Sequence, residues 1–222
     1  MLSPNAIIFD FDGVLLESEF ESNRHLAHLL TELGHPTEPE EALANFSGLA
    51  GKDFIAAIET RIGQSLPPEF RERRKDEAQR ALNDGIAAVD GAIEFVLSLP
   101  GSLPRAVASS SSTNWIRTHL ENLGLAAAFG DHLYSGAEHV ERGKPAPDLY
   151  LLAARQLAVP IEQCVILEDS EVGAAGALAS GARVIGLAAG RHCLDDHGDR
   201  LRALGVKHVA YSFEEVKRLL NL

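Results

Sequence analysis

Ala6-Ile7-Ile8-Phe9-Asp10-Phe11-Asp12-Gly13 is the stretch whose reading settles the architecture. An apolar run stops at two carboxylates and a glycine, the pattern of a buried strand that delivers Asp10 and Asp12 to a turn at its carboxyl end. Outward from it, apolar runs of similar length recur at 105–109, 132–135, 164–167 and 183–187, with a weaker one at 208–211. Helix-compatible stretches at 114–123, 147–157, 171–179 and 213–220 alternate with them. Alternating β and α segments predict an α/β fold with a Rossmann-like parallel sheet core.

Residues 17–88 break the alternation. Leu26, Leu29, Leu30 and Leu33 fall at i, i+3, i+4 and i+7, and Gly34 and Pro36 then end that helix. Ile55, Ile58 and Ile62 make a second stripe, and the charged run 69–80 after Pro67-Pro68 predicts a third, exposed helix. The expected organisation is a core from 1–16 and 89–222, with an all-helical insert, 17–88, between its first two strands.

The 222 residues carry 20 Lys+Arg against 32 Asp+Glu, a formal charge of −12, with 45% hydrophobic and 23% charged residues. That composition excludes a disordered chain, and so acidic a total without a basic tract argues against binding nucleic acid. Cys164 and Cys193 form no CxxC arrangement, so neither a disulfide scaffold nor a cysteine-based zinc site is expected. No membrane segment or export signal is expected, and a cytoplasmic setting fits.

Four segments carry chemistry. Asp10 and Asp12 stand two apart at a strand end, where alternation points both to one side; such a pair calls for Mg²⁺ or acid/base work, or else is a solvated turn. In Ala108-Ser109-Ser110-Ser111-Ser112-Thr113-Asn114 a strand runs into hydroxyls at a helix start, which make an anion cradle or simple N-caps from Ser112 or Thr113. Lys144, between Gly143 and Pro145, is either a held ammonium or an exposed loop lysine. Leu167-Glu168-Asp169-Ser170 ends another strand with a second acidic pair; capping by Asp169 or Ser170 leaves Glu168 unexplained. All four lie at or just beyond the carboxyl ends of predicted parallel strands, where open α/β sheets place ligands.

With these four in order, the sequence resembles the haloacid dehalogenase (HAD) superfamily, in its phosphatase and phosphomutase branch with a helical cap after the first motif. Asp10-Phe11-Asp12-Gly13-Val14 looks like motif I, Ser109 motif II, Lys144 motif III and Glu168-Asp169-Ser170 motif IV. The resemblance implies that Asp10 attacks phosphorus and forms an aspartyl-phosphate, and that Asp12 serves as general acid and base. It also implies Mg²⁺ on Asp10, the carbonyl of Asp12, Asp169 and, directly or through water, Glu168. Lys144 would neutralise the phosphoryl group, with Ser109 and the N–H of Ser110 holding its oxygens. Asp12 favours phosphoryl transfer over halide displacement.

The subgroup it is most similar to is the β-phosphoglucomutase-like proteins and sugar-phosphate phosphatases. In the mutase a histidine follows motif I on the first cap helix and an arginine lies in the glycine-containing cap loop; here those places look like Ser22 and Gly51. That departure favours hydrolysis of a small sugar or sugar-acid phosphate over isomerisation; a non-catalytic sugar-phosphate-binding protein is the remaining alternative. Candidate substrate contacts in the cap are Lys52, near Ser47-Gly48-Leu49-Ala50-Gly51, and one of Arg73, Arg74 and Lys75, with Arg74 preferred. His192, Cys193, Asp195, Asp196 and His197 superficially resemble a metal site, but without a recognisable ligand spacing they read as a polar loop.

Overall fold

The computed structural model of the chain describes residues 2–47, 49 and 51–222. In chain order these form β1 (Ala6–Phe9), α1 (Ser18–Glu32), α2 (Pro39–Phe46), α3 (Gly51–Ile62), α4 (Glu69–Asp84), α5 (Ala92–Ser98), β2 (Arg105–Ser109), α6 (Thr113–Asn122), α7 (Ala126–Phe129), β3 (Leu133–Ser135), α8 (Asp148–Gln156), β4 (Cys164–Glu168), α9 (Glu171–Ser180), β5 (Arg183–Leu187), α10 (His197–Ala203), β6 (His208–Ala210) and α11 (Phe213–Leu220). The chain divides into two compact units, Met1–Glu17 with Ala87–Leu222, and Ser18–Ile86.

In the first unit six strands pair in the order β3-β2-β1-β4-β5-β6, all parallel. The α/β parallel-sheet fold expected from the alternation is therefore present. The chain builds outward from β1 through β2 to β3, then returns to place β4 on β1's other side. That reversal makes the carboxyl ends of β1 and β4 a topological switch point, where a crevice opens above the sheet.

The sheet is buried on both faces, which is why its strands read as continuous apolar runs. On one face Ala6, Ile8, Ala106, Ala108 and Ile166 pack against Leu149, Tyr150 and Ala153 of α8 and Ala174 and Ala177 of α9. On the other, Phe9 meets Phe129 edge-on at 5.5 Å between ring centroids and Phe95 at 6.1 Å, and Phe95 meets Phe213 of α11 at 5.0 Å. Each large side chain buried this way contributes roughly 1.5–3 kcal/mol. Arg105, inside β2, is buried because its guanidinium donates to the carbonyls of Val96, Leu99 and Pro100 at the carboxyl end of α5.

The chain leaves and re-enters this unit on paired backbone: Leu16 bridges Ala88, Glu17 N–H donates to the Ala87 carbonyl and Val89 N–H to that of Leu15. The second unit is helical. Its core joins Leu26, Leu29 and Leu30 of α1 to Ala42 and Phe46 of α2, Ile58 of α3 and Phe70 of α4. The leucine stripe behaves as its spacing predicts, but the described residues of the unit form four helices where three were expected. The extra one, α2, is eight residues long with Pro39 in its first turn, and its buried Ala42, Leu43 and Phe46 are too few to show a period. Among the described residues no helix is long and apolar enough to cross a membrane.

Candidate active site

Asp10 follows β1 directly, its N–H donating to the Leu167 carbonyl of β4 at 2.9 Å. This backbone bond ties the two acidic segments together at the switch point. Gly13 completes the turn at φ +84°, where a Cβ would fall 2.1 Å from Asp169 Oδ2. The close approach of the first and fourth motifs thus requires glycine at this position.

Lys144, between β3 and α8, reaches the same point. Its Nζ donates to Asp10 Oδ1 at 2.5 Å and to Glu168 Oε1 at 2.7 Å, with Asp10, Glu168 and the lysine all buried. Glu168 is wholly enclosed: Tyr150 OH donates to Oε1 at 2.8 Å, while Ser170 N–H and Oγ–H donate to Oε2 at 2.9 and 3.0 Å. Ser170 Oγ also caps α9 by accepting from Gly173 N–H, so capping and site building share one residue. Lys144 is a held ammonium here, its Nζ 5.1 Å from the Tyr150 ring centroid.

Asp10, Glu168 and Asp169 bring carboxylate oxygens within 4.8 Å of one another. Three clustered carboxylates, two of them sharing one ammonium, leave a surplus of two negative charges over that ammonium when all are ionised. Burial, joined by Glu168, Asp169 and Asp12, pushes the Asp10 pKa well above the usual carboxylate range against the pull of Lys144. For Lys144, burial works to lower the pKa, but Asp10 and Glu168 outweigh it and hold the ammonium well above its ordinary value. Burial and Glu168 raise Tyr150, which therefore stays a phenol and a donor. Crowded, buried, hard oxygen donors of this kind fit a divalent cation such as Mg²⁺, whose two positive charges match the surplus.

Asp12 is held from the other side. Ser109 Oγ donates to its Oδ2 at 3.1 Å, Ser111 Oγ to the same oxygen at 2.6 Å, and Trp115 Nε1–H to Oδ1 at 3.0 Å. Ser111 N–H donates to Ser109 Oγ at 3.0 Å, and Ser112 caps α6 by accepting from Trp115 N–H. The hydroxyl-rich segment is a helix cap and a carboxylate cradle at once. Ser110 lies exposed just past β2.

Asp169 has its own support from residues 190–198, the loop after β5 and the start of α10. His192 Nε2 lies 2.8 Å from Asp169 Oδ2, and His197 Nε2 lies 2.7 Å from the Asp169 carbonyl. Cys193 sits beside them, its thiol pushed up to about 12 by burial, whereas Asp195 and Asp196 are exposed. The loop read as merely polar therefore turns both histidines and the cysteine inward. Trp115, Tyr150, His192 and His197 had no recognised role in the sequence, because the first three meet their carboxylates, and His197 the Asp169 carbonyl, only in the folded chain.

In the helical unit, Lys52 is exposed in the first turn of α3, and Arg73 pairs with Glu32. Arg74 donates to Ser22 Oγ at 2.8 Å and to Glu77 Oε2 at 2.5 Å, and stands over the Phe54 ring. Arg74, Ser22, Asn23, Phe54 and Gly51 line a cavity of about 220 Å³. Gly48 and Ala50, in the loop named above, lie outside the described residues.

The haloacid dehalogenase-like hydrolase profile matches residues 4–181, a span that includes all four acidic, hydroxyl and lysine segments. The chain belongs to the haloacid dehalogenase-like hydrolase family. As a HAD hydrolase it is similar to 6-phosphogluconate phosphatase of Escherichia coli K12, 28% identical over 86% of this chain and 84% of that protein. It is 33% identical to hexitol phosphatase A of the same organism over 80% of each chain. A HAD family hydrolase from Deinococcus radiodurans, solved with bound phosphate and sodium, superposes with a TM-score of 0.88 at 33% identity, covering 99% of this chain and 96% of that one.

Proposed function

We propose that this HAD hydrolase is a Mg²⁺-dependent phosphatase that cleaves a small sugar or sugar-acid phosphate through an aspartyl-phosphate on Asp10. The observation that carries the proposal is the clustering of Asp10, Glu168 and Asp169, with Lys144 paired to the first two and Asp12 held by Ser109, Ser111 and Trp115. Phosphatases named for 6-phosphogluconate and hexitol phosphates among the relatives support the substrate class.

An Asp10 carboxylate oxygen attacks phosphorus as the bond to the leaving oxygen breaks, and Asp12 gives that oxygen its proton. Water then attacks the phosphorus, Asp12 takes a proton from it, and phosphate departs with the Asp10 carboxylate restored. Asp12 suits a proton carrier because Ser109, Ser111 and Trp115 fix both of its oxygens. Lys144 offsets charge on Asp10 and the phosphoryl group, while the N–H of Ser110 and the Ser109 hydroxyl, once turned from Asp12 to the substrate, hold phosphoryl oxygens. Asp10, the carbonyl of Asp12 and Asp169 would hold Mg²⁺, with Glu168 acting through water because Lys144, Tyr150 and Ser170 occupy its oxygens. The ion would supply charge neutralisation of the phosphoryl oxygens.

The helical unit, residues 17–88 at its widest, is the cap in this reading, with Arg74, Ser22 and Lys52 reading the leaving group. Ser22 and Gly51 line a cavity with Arg74 but supply neither the histidine nor the arginine of a mutase, which favours hydrolysis. A cytoplasmic setting suits the free Cys164 and Cys193.

The test is a panel of sugar and sugar-acid phosphates assayed with and without Mg²⁺ for wild type and Asp10→Asn. Phosphate release that needs both the metal and Asp10 is expected, and turnover in Asp10→Asn rejects the nucleophile. Supplying hexose 1-phosphate and finding hexose 6-phosphate instead of free phosphate would establish the mutase reaction.

A further inference from the structure

We infer that the segment from Gly190 into the first turn of α10 is a positioning device for Asp169, with His192 and His197 fixing its carboxylate and its main chain; this rests on Asp169 being a ligand of the proposed Mg²⁺. The two histidines grip different parts of one residue. His192 Nε2 stands 2.8 Å from Oδ2, and His197 Nε2 stands 2.7 Å from the backbone carbonyl. With one carboxylate oxygen and the carbonyl both held, the orientation of the Asp169 carboxylate, which has an oxygen within 4.8 Å of those of Asp10 and Glu168, is set.

The tautomer of His197 follows from its partners. Arg200, whose guanidinium has only donors, lies with a nitrogen 3.2 Å from His197 Nδ1. Nδ1 must therefore accept, so Nε2 carries the proton and donates to the Asp169 carbonyl. Arg200 is itself anchored by Glu171 at 3.2 Å, at the start of the helix that follows Asp169. His192 is fixed by packing: a Cβ on Gly190 would lie 2.6 Å from its ring, and one on Gly13 would meet both that ring and Asp169. The rings of His192 and His197 meet edge-to-face at 5.6 Å between centroids.

This arrangement also explains why the two histidines and Cys193, although close enough to suggest a second metal site, do not argue for one. Nε2 of each histidine faces Asp169, and Nδ1 of His197 faces an arginine, so neither nitrogen of His197 is open to an ion. Outer residues that orient a metal ligand commonly matter by 10–100-fold in affinity. His192 is thus a positioning residue, acting through Asp169.

The test compares Mg²⁺ binding by titration calorimetry in wild type, His192→Leu and His192→Gln, each with a thermal melt and with kcat and KM measured across Mg²⁺ concentrations. His192→Leu is expected to raise the Mg²⁺ dissociation constant roughly 10–100-fold, with most of kcat restored at saturating Mg²⁺ and the substrate KM little changed. His192→Gln, which keeps an N–H donor at about the same reach, is expected to recover most of the affinity. Wild-type Mg²⁺ affinity in His192→Leu overturns the inference, as does Gln binding no better than Leu, which would make the ring's packing the whole effect. A melt lowered without any change in affinity overturns it too. If wild type itself binds no Mg²⁺, the metal reading above fails instead, a separate result.

Discussion

Trp115 Nε1–H donates to Asp12 Oδ1 across 103 residues of sequence, at 3.0 Å, while two serine hydroxyls hold the opposite oxygen. A carboxylate that must give and take a proton in one orientation gains from being fixed at both oxygens. Trp115→Phe keeps a large ring and removes only the donor. A hydrogen bond to a charged group contributes about 1.5–3 kcal/mol, so kcat is expected to fall roughly 10-fold or more, with KM nearly unchanged. Steady-state kinetics on the best substrate of the panel check this, and an unaltered kcat would remove Trp115 from the account of Asp12.

Lys144 is the one positive side chain placed against both Asp10 and Glu168 among the described residues. Lys144→Met leaves two buried carboxylates without their ammonium. Removing one partner of a buried ion pair commonly destabilises by about 3–5 kcal/mol, and a loss of this order is expected in urea unfolding without metal. Because a divalent cation would offset the same surplus charge, added Mg²⁺ is expected to recover part of the stability but none of the activity. Unfolding midpoints that match wild type in metal-free buffer would contradict the burial argument.

The core was legible where a strand is buried on both faces, because its whole length then reads apolar: β5 coincides with the run expected at 183–187 and α11 with 213–220. The helices α2 and α5 were not: their buried residues, 42, 43 and 46 and 92, 95 and 96, span about one turn, whereas Phe213, Val216 and Leu220 of α11 repeat over two. At the site, acidic residues were conspicuous because an apolar strand ended on them. Trp115, Tyr150, His192 and His197 look like ordinary core or loop residues until α6, α8, the loop after β5 and the start of α10 bring the first three to carboxylates and His197 to the Asp169 carbonyl. Ser112 and Ser170 carried two readings, cap or site, and the structure shows both caps formed within the segments that build the site.

Gly173 lies in the first turn of α9, where alanine ordinarily improves a helix by about 1 kcal/mol over glycine. Here the sign is expected to reverse. A Cβ at this position would fall 1.6 Å from Glu168 Oε1 and 2.1 Å from its Cδ, and Glu168 is held by Lys144, Tyr150 and Ser170 with no direction in which to yield. Gly173→Ala is expected to destabilise by about 1–3 kcal/mol, as overpacking of a filled interior does. It should also lower activity by displacing the carboxylate that anchors Lys144. Thermal unfolding and kcat together check it; a more stable Gly173→Ala variant would mean Glu168 can relocate freely.

His119 is fully buried beneath Trp115, its ring 4.3 Å from the indole between centroids, and neither of its nitrogens has a hydrogen-bond partner among the described residues. Burial lowers its pKa from 6.5, against a weaker pull upward from Asp12. The folded chain therefore takes up a proton at His119 less readily than the unfolded chain. Below the unfolded value the unfolded state binds more protons, so stability is fully present above about pH 6.5 and declines as pH falls toward the lower folded value. His119→Phe preserves an aromatic edge against Trp115, removes two unpartnered polar atoms and removes the titration. The variant is expected to be at least as stable as wild type near neutrality and to lose less stability between about pH 7 and pH 5. His197, also lowered by burial, titrates in both proteins and cancels from the comparison. Urea unfolding of the two proteins at each pH gives the difference directly, and parallel losses would show that His119 takes up its proton without disturbing the fold.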